Sequence, residues 1–298
     1  MQPTISIITP SFNQGQFIER TIRSVLTQGI ANLEYFIADG GSTDETLDVI
    51  RQYRDRDQLS FVSEIDKGQA DGVNKGILAT TGDIIGWLNS DDIYYPEALA
   101  AVLTYFAAHP DTDVVYGDAF YIDENDNILE PYHTEDWNYG SLRKLCYLCQ
   151  PAVFFRRRLV AEAGLLDDSL SYCMDYEYWL RLGELTPFAR ICKVLAGSRM
   201  YQGNKTLGSR LAVSKEINDM LLQKTGDVPD EWIYSYAFVA AQEKGLAKDK
   251  ALWNLSSIML LIFIMLTSFF HWKRRLPVRA MKQMVVWATG SLKGLLRV

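Results

Sequence analysis

Thr81–Asp92 reads TGDIIGWLNSDD, an almost wholly apolar run, Ile84–Leu88, that stops abruptly at Asn89-Ser90-Asp91-Asp92. A run this short and apolar at successive positions is how a strand looks when both faces of its sheet are covered. Working outward, Ile5–Thr9 (ISIIT), Tyr35–Ala38 (YFIA) and Leu59–Val62 repeat the pattern upstream. Amphipathic segments alternate with them: Phe17–Leu26, Asp44–Tyr53, Asp71–Ala79 and Pro96–Ala107. Ser42 and Glu45 have the spacing of a capping box, and Pro96 suits a first helical turn. Strand–helix alternation predicts an α/β fold with a mostly parallel sheet flanked by helices.

Beyond Val114 the pattern changes. Asp123–Asn127 (DENDN) predicts a polar turn between two strands of a hairpin. A helix is expected near Arg158–Ala163, stopped by Gly164, then another from about Tyr172 to Leu182 and an apolar strand around Ile191–Val194.

Ligands of a parallel α/β sheet bind beyond the carboxyl ends of its strands. The residues there are Thr9–Asn13 (TPSFN), Asp39–Asp44 (DGGSTD), Glu64–Gly68 (EIDKG) and Asn89–Asp92 (NSDD). None carries GxGxxG, and GxxxxGK[ST] is absent from the chain, which argues against a nicotinamide cofactor or a P-loop. Asp91 and Asp92 can be read as a solvated turn or as ligands of a hard cation, because adjacent carboxylates beside a sheet need neutralising. Asp39 could accept from a nucleobase N–H, with Gly40 and Gly41 allowing close approach; taken alone, an Asp-Gly turn explains it better. Asp175 shares a helical face with Trp179 and Leu182, as either a helix cap or a general base. Glu177, Arg181 and Glu184 share another face, expected to be solvated.

Bulk numbers narrow the class. A formal net charge of −7 argues against a nucleic-acid partner. The four cysteines include one CxxC pair, Cys146 and Cys149, without a second pair at zinc spacing, and read as buried free thiols. MQPTISIITPSFN lacks the basic start and long apolar stretch of a signal peptide, so the bulk of the chain is expected in the cytoplasm. Residues 251–272 are the most apolar stretch and could span a bilayer, but Asn254, Ser256 and Ser257 weaken its first third. Lys273, Arg274, Arg275, Arg279, Lys282, Lys293 and Arg297 follow with no acid among them. Met281–Val298 has an apolar helical face opposite lysine and arginine, which favours a helix lying in a membrane interface.

TPSFNQ (Thr9–Gln14), ADGGSTDET (Ala38–Thr46), DKGQADGVNKGI (Asp66–Ile77), TGDIIGWLNSDD, QPAVFFRR (Gln150–Arg157) and MDYEYWLRL (Met174–Leu182) together resemble the family 2 glycosyltransferases of bacterial cell-surface polysaccharide type. The resemblance runs from about Ser6 to Thr206 and implies the GT-A fold. It implies a nucleotide-diphospho-sugar donor, with UDP the expected nucleotide, bound through Thr9, Pro10, Asp39, Asp71, Asn89 and Ser90. It implies a divalent metal, Mg²⁺ or Mn²⁺, on Asp91 with Asp92 beside it, and Asp175 as the base in a single inverting displacement. Asn89 stands in place of the usual first acid of DxD, Met174 in place of an acid often found before the base, and Tyr201 where some relatives have histidine. Residues 1–210 would then be the catalytic domain (1–115 nucleotide half, 116–210 acceptor half), 211–250 a helical linker and 251–298 membrane-associated helices. The expected partners are the donor, a glycan or lipid-linked acceptor, and the cytoplasmic face of the cell membrane. A sugar nucleotidyltransferase, or a non-catalytic membrane-bound subunit keeping the fold, are the competing readings.

Overall fold

The computed structural model describes residues 3–204, 208–247, 254–282 and 284–286. Residues 251–253 of the apolar stretch, and all but five residues of the expected interfacial helix over 281–298, lie outside them. The chain divides into two compact units, Met1–Leu142 with Cys146–Leu207, and Arg143–Leu145 with Gly208–Val298.

The first unit is built on a nine-stranded sheet among the described residues. β1 (Ile5–Ser11), β2 (Leu33–Asp39), β3 (Leu59–Ser63) and β4 (Ile84–Trp87) alternate with α1 (Gly15–Leu26), α2 (Thr46–Arg51) and α3 (Gln69–Ala79). Then come β5 (Ile93–Tyr94), α4 (Ala98–Ala108), β6 (Val114–Ile122), β7 (Ile128–Pro131) and α5 (Tyr139–Leu142). A 3-10 turn (Gln150–Ala152) leads into β8 (Val153–Arg156), followed by α6 (Arg158–Ala163), α7 (Met174–Leu185) and β9 (Phe188–Arg199). The order is β3-β2-β1-β4-β8-β6-β9-β5, with β7 paired to β6. β1 pairs parallel with β2 and β4, β2 with β3, and β6 with β9, whereas β8, β7 and β5 run antiparallel to their neighbours. The chain leaves β1 in one direction for β2 and β3, then returns to its other side for β4. That reversal opens a crevice at the carboxyl ends of β1 and β4.

Both faces are covered, as the apolar strands require. Ile5, Ile7, Tyr35, Ile37 and Ile84 form one buried cluster with Ile18, Ile22 and Val25 of α1 and Leu99, Val102 and Phe106 of α4. On the other face α3 packs against β1 and β2. A Cβ on Gly76 would run into Ile8, and one on Gly72 would sit 3.2 Å from Pro10 Cβ, so these glycines let α3 lie close against β1.

Two local expectations fail. The capping box at Ser42 does not form: α2 begins at Thr46, Asp44 Oδ1 accepts Thr46 N at 3.1 Å, and Ser42 Oγ turns back to Asp39. The face of α7 expected in solvent is largely buried. Glu177 is 1% exposed and takes both Nε (2.8 Å) and Nη2 (2.7 Å) of Arg181. Gly164, at φ 77°, turns the chain after α6, and Arg181 reaches the carbonyls of Ala163 and Leu165 on either side. Only Glu184 of that face is exposed, where Tyr139 Oη donates to it.

In the second unit α8 (Arg210–Thr225), α9 (Asp230–Glu243) and α10 (Leu255–Lys273) pack together. Leu261, Met265, Phe269 and Trp272 of α10 are buried, while Met259, Phe263 and Phe270 are about 60% exposed. Trp272 Nε1 donates to Asp219 Oδ1 (2.8 Å) and Lys273 Nζ to Asp230 Oδ1 (2.5 Å), fastening the end of α10 to α8 and α9. By length and composition alone α10 could cross a membrane.

Candidate functional site

The crevice is lined by the loops that follow β1, β2, β3 and β4. The first two are tied together. The backbone N–H groups of Asn13, Gln14 and Gly15 donate to Ser42 Oγ (2.8 Å), Thr46 Oγ1 (2.8 Å) and Asp44 Oδ2 (3.0 Å). Those donors would otherwise form the anion site at the start of α1. Thr9 is buried, its hydroxyl paired with Tyr35 Oη at 3.1 Å.

Asp39 is 1% exposed. Oδ2 accepts Gly41 N (3.1 Å), Ser42 N (3.0 Å) and Ser63 Oγ (2.7 Å), and Oδ1 accepts Ser42 Oγ (2.5 Å). Oδ1, with one bond against three on Oδ2, is the oxygen with acceptor capacity left for a base N–H. Two residues that the sequence reading did not select flank this turn. Ile65 is 90% exposed, with its Cγ1 3.4 Å from where a Gly41 Cβ would sit, and Phe12 at the end of β1 is 58% exposed.

Asp71 opens α3 and accepts Lys67 N (3.2 Å) and Lys75 Nζ (3.3 Å). Slight burial works against its charge, but these donors outweigh it and hold the carboxyl below its usual range. Asn89 Oδ1 accepts Gln69 Nε2 (2.6 Å) and Trp87 Nε1 (2.8 Å), which fixes the first position of the Asn89–Asp91 tip. Ser90 is buried, and its carbonyl accepts the Thr21 hydroxyl at 2.9 Å.

Asp91 and Asp92 part company here. Asp92 is 4% exposed and points inward, with Oδ1 accepting Arg199 N at 2.8 Å. Asp91 is half-buried, and its Oδ2 accepts the Tyr201 hydroxyl at 3.2 Å. Burial pushes both carboxyls above the ordinary range, Asp92 the further because Asp91 lies beside it. Tyr201 packs on Phe17 with ring centroids 4.8 Å apart, and burial together with the Asp91 charge pushes its hydroxyl up to about 12.

Arg199, absent from the sequence reading, braces this corner. It is fully buried and stacks over Phe17, with its guanidinium carbon 4.7 Å from the ring centroid. Its Nε donates to Asp91 O (2.6 Å), Nη1 to Asp123 O (2.6 Å) and Nη2 to Asp126 Oδ1 (2.5 Å), so the hairpin turn is stitched to the acidic tip.

Among the described residues no group of three or more His, Cys, Asp or Glu could hold a metal. The donor set fits a different arrangement, in which a Mg²⁺-like ion takes one or two protein carboxylates and completes its shell with substrate phosphates. Asp91 is the carboxylate suited to it, and Asp92 has its inward oxygen committed.

Asp175 starts α7, half-buried, and its Oδ1 accepts Tyr176 N at 2.7 Å. It stands at the end of the expected apolar stripe, Trp179 and Leu182 being fully buried. β8, which pairs with β4, packs its Phe155 ring on Tyr178 and Trp179 of α7 (centroids 5.5 and 6.2 Å apart), so α7 lies beside the strand next to the one that carries the acidic tip.

A mixed sheet whose four parallel N-terminal strands open a switch-point crevice beside an acidic tip defines the α/β scaffold of this site. The Glycosyl transferase family 2 profile matches residues 6–162, and the chain belongs to that family. It is 31% identical over 217 residues to chondroitin synthase of Escherichia coli, covering 72% of this chain and 31% of that protein. It is 26% identical over 238 residues to hyaluronan synthase of Pasteurella multocida, covering 78% and 24%, and 28% identical over 217 residues to an uncharacterised glycosyltransferase of Rickettsia prowazekii, covering 68% and 66%. The chain thus spans about a third or less of the two synthases. Among solved structures it resembles S. aureus TarS 1-349 in complex with UDP-GlcNAc, with a TM-score of 0.61 and 15% identity over 93% of this chain and 82% of that one. It also resembles the mannosyltransferase PcManGT from Pyrobaculum calidifontis in complex with GDP-Man and Mn²⁺, with a TM-score of 0.61 and 17% identity over 99% and 88%. At these identities the structures speak for the fold, which is the expected GT-A type.

Proposed function

We propose that the chain transfers a sugar from a nucleotide-diphosphate donor, with UDP as the nucleotide, to an acceptor hydroxyl in bacterial surface polysaccharide or lipopolysaccharide assembly. The observation that carries this is Asp91, a half-buried carboxylate at the switch point, held by the Tyr201 hydroxyl and backed by buried Asp92, which accepts the backbone N–H of Arg199. Phe12 and Ile65 offer apolar surface beside the Asp39 turn for a flat base, while Asn89, Ser90 and Asp71 line the way to the diphosphate. A divalent ion, Mg²⁺ or Mn²⁺, held by Asp91 and the diphosphate would offset the charge of the leaving group. Family membership and a neighbour solved with Mn²⁺ support that reading.

Asp175 takes the proton from the acceptor hydroxyl. The freed oxygen forms its bond to the anomeric carbon as the bond from that carbon to the diphosphate oxygen breaks, so the configuration inverts. The nucleotidyltransferase alternative would want a basic, glycine-rich loop after β1; here those backbone donors are committed to Ser42, Asp44 and Thr46.

Residues 1–210 are assigned to catalysis, 211–250 to a helical linker and 251–298 to the cytoplasmic membrane face, where a lipid-linked acceptor would be met. The test is transfer of radiolabelled sugar from a panel of UDP- and GDP-sugars to membranes that carry unfinished glycan. Label incorporated by wild type and lost in Asp175→Asn is the expected result. No incorporation from any donor contradicts the reading.

A further inference from the structure

Gln150 opens the 3-10 turn ahead of β8, and that turn packs against β4, β6 and β9. Its side chain is 8% exposed. Nε2 donates to the carbonyl of Trp87, the last residue of β4, at 2.5 Å. That bond sets the orientation of the amide, because the flipped arrangement would put two carbonyl oxygens against each other. Oε1 is then left without a hydrogen-bond partner among the described residues. Buried amide oxygens are almost always satisfied, so an orphan held rigidly in place calls for a ligand.

Its position says which part of a ligand. Trp87, to which Gln150 is bound, also donates through Nε1 to Asn89, the first residue of the acidic tip. On the other side, Phe155 of β8, the strand that Gln150 leads into, packs its ring on Tyr178 and Trp179 of α7, one turn on from Asp175. Gln150 therefore lies between the end of the crevice that would hold the diphosphate and the end that would hold the base. In a single displacement that interval belongs to the transferred sugar, whose anomeric carbon has the leaving oxygen on one side and the attacking oxygen on the other. We propose that Gln150 Oε1 accepts a hydrogen bond from a donor group on the transferred ring, a hydroxyl or an acetamido N–H, and that Gln150 is a specificity-determining residue for the donor sugar. The proposal rests on the transferase reading above.

The test is calorimetric titration of the full chain, with Mn²⁺ present, against UDP, UDP-glucose, UDP-galactose, UDP-N-acetylglucosamine and monodeoxy analogues of whichever sugar nucleotide binds best. In wild type one analogue, lacking the group that Gln150 meets, binds about tenfold more weakly than its parent. In Gln150→Met the parent weakens by a similar factor, that analogue is unchanged, and UDP binds as in wild type. Unaltered UDP affinity also reports that the variant is folded. Loss of a hydroxyl against loss of the acetamido group tells the two donor types apart. Equal weakening of UDP and sugar nucleotide in Gln150→Met, or no analogue penalised in wild type, overturns the proposal and leaves the transferase reading standing. Failure of wild type to bind any of these nucleotides, and GDP and dTDP as well, sinks the transferase reading itself.

Discussion

Asp91, Asp92 and Asp175 are three acids with three environments, and substitution should separate them. Asp175→Asn keeps shape and removes the base, so kcat should fall about 10²–10⁴-fold with nucleotide affinity unchanged. Asp92→Asn should act mainly on stability, since its carboxylate receives the Arg199 N–H in a buried corner. Arg199→Met should cost about 1–3 kcal/mol in denaturant unfolding, because the part-buried carbonyls of Asp91 and Asp123 lose their donors while Asp126 keeps Arg20. A loss under about 1 kcal/mol would show that the corner relaxes without it. The positions of Asp91 and Asp175 were legible in the sequence, one just past an apolar strand and the other on a helical stripe, and their roles came from the family resemblance. Arg199 was not legible, and Gln150 was visible only as the first residue of QPAVFFRR, without a role. What makes Arg199 matter is a hairpin turn more than 70 residues away, and for Gln150 it is a carbonyl 63 residues away, pairings that no local pattern gives.

Among the elements, β2 carries a pH-dependent tie. Glu34 accepts the Thr81 hydroxyl (2.6 Å) and N–H (2.7 Å), the Ser6 hydroxyl (2.7 Å) and Gly82 N (3.0 Å), joining β2 to β1 and to the lead-in of β4. Partial burial works against its charge, but the four donors outweigh it and bring the pKa from the ordinary 4.5 down to about 2. A depressed carboxylate stabilises the fold above its unfolded pKa and loses that contribution as the pH falls toward its folded one. The stability gap between wild type and Glu34→Gln should therefore be full at pH 6 and close between about pH 4.5 and 2. A gap independent of pH would mean that the carboxylate charge contributes nothing. The four parallel strands were legible because burial on both faces leaves an unbroken apolar run. The start of α2 was misread because Ser42 serves Asp39 across the turn instead of its own helix. The solvated face of α7 was misread because periodicity gives which residues share a face, and the carbonyls around Gly164 that bury Glu177 and Arg181 belong to another segment.

At the scale of the whole molecule, every Asp and Glu precedes residue 251, and the apolar, basic end of the chain follows them. The apolar stretch was visible in the sequence, but which of its residues face outward was not. α10 buries one side against α8 and α9 and presents Met259, Phe263 and Phe270, with Arg274, Arg275 and Arg279 exposed beyond its end. That geometry suits a helix lying in an anionic lipid surface. The full chain should sediment with vesicles containing phosphatidylglycerol more than with phosphatidylcholine alone, and Phe263→Glu should weaken this binding; equal binding to both vesicles and by the variant would contradict it. On the proposed reading the switch-point crevice receives a nucleoside diphosphate at Asp91. The measurement that decides it is titration calorimetry of the protein against UDP, GDP and dTDP, with and without Mn²⁺, in wild type and Asp91→Ala. Metal-dependent binding of one nucleotide that disappears in Asp91→Ala is the predicted result. Binding of none, or binding that Asp91→Ala leaves unchanged, would contradict the assignment.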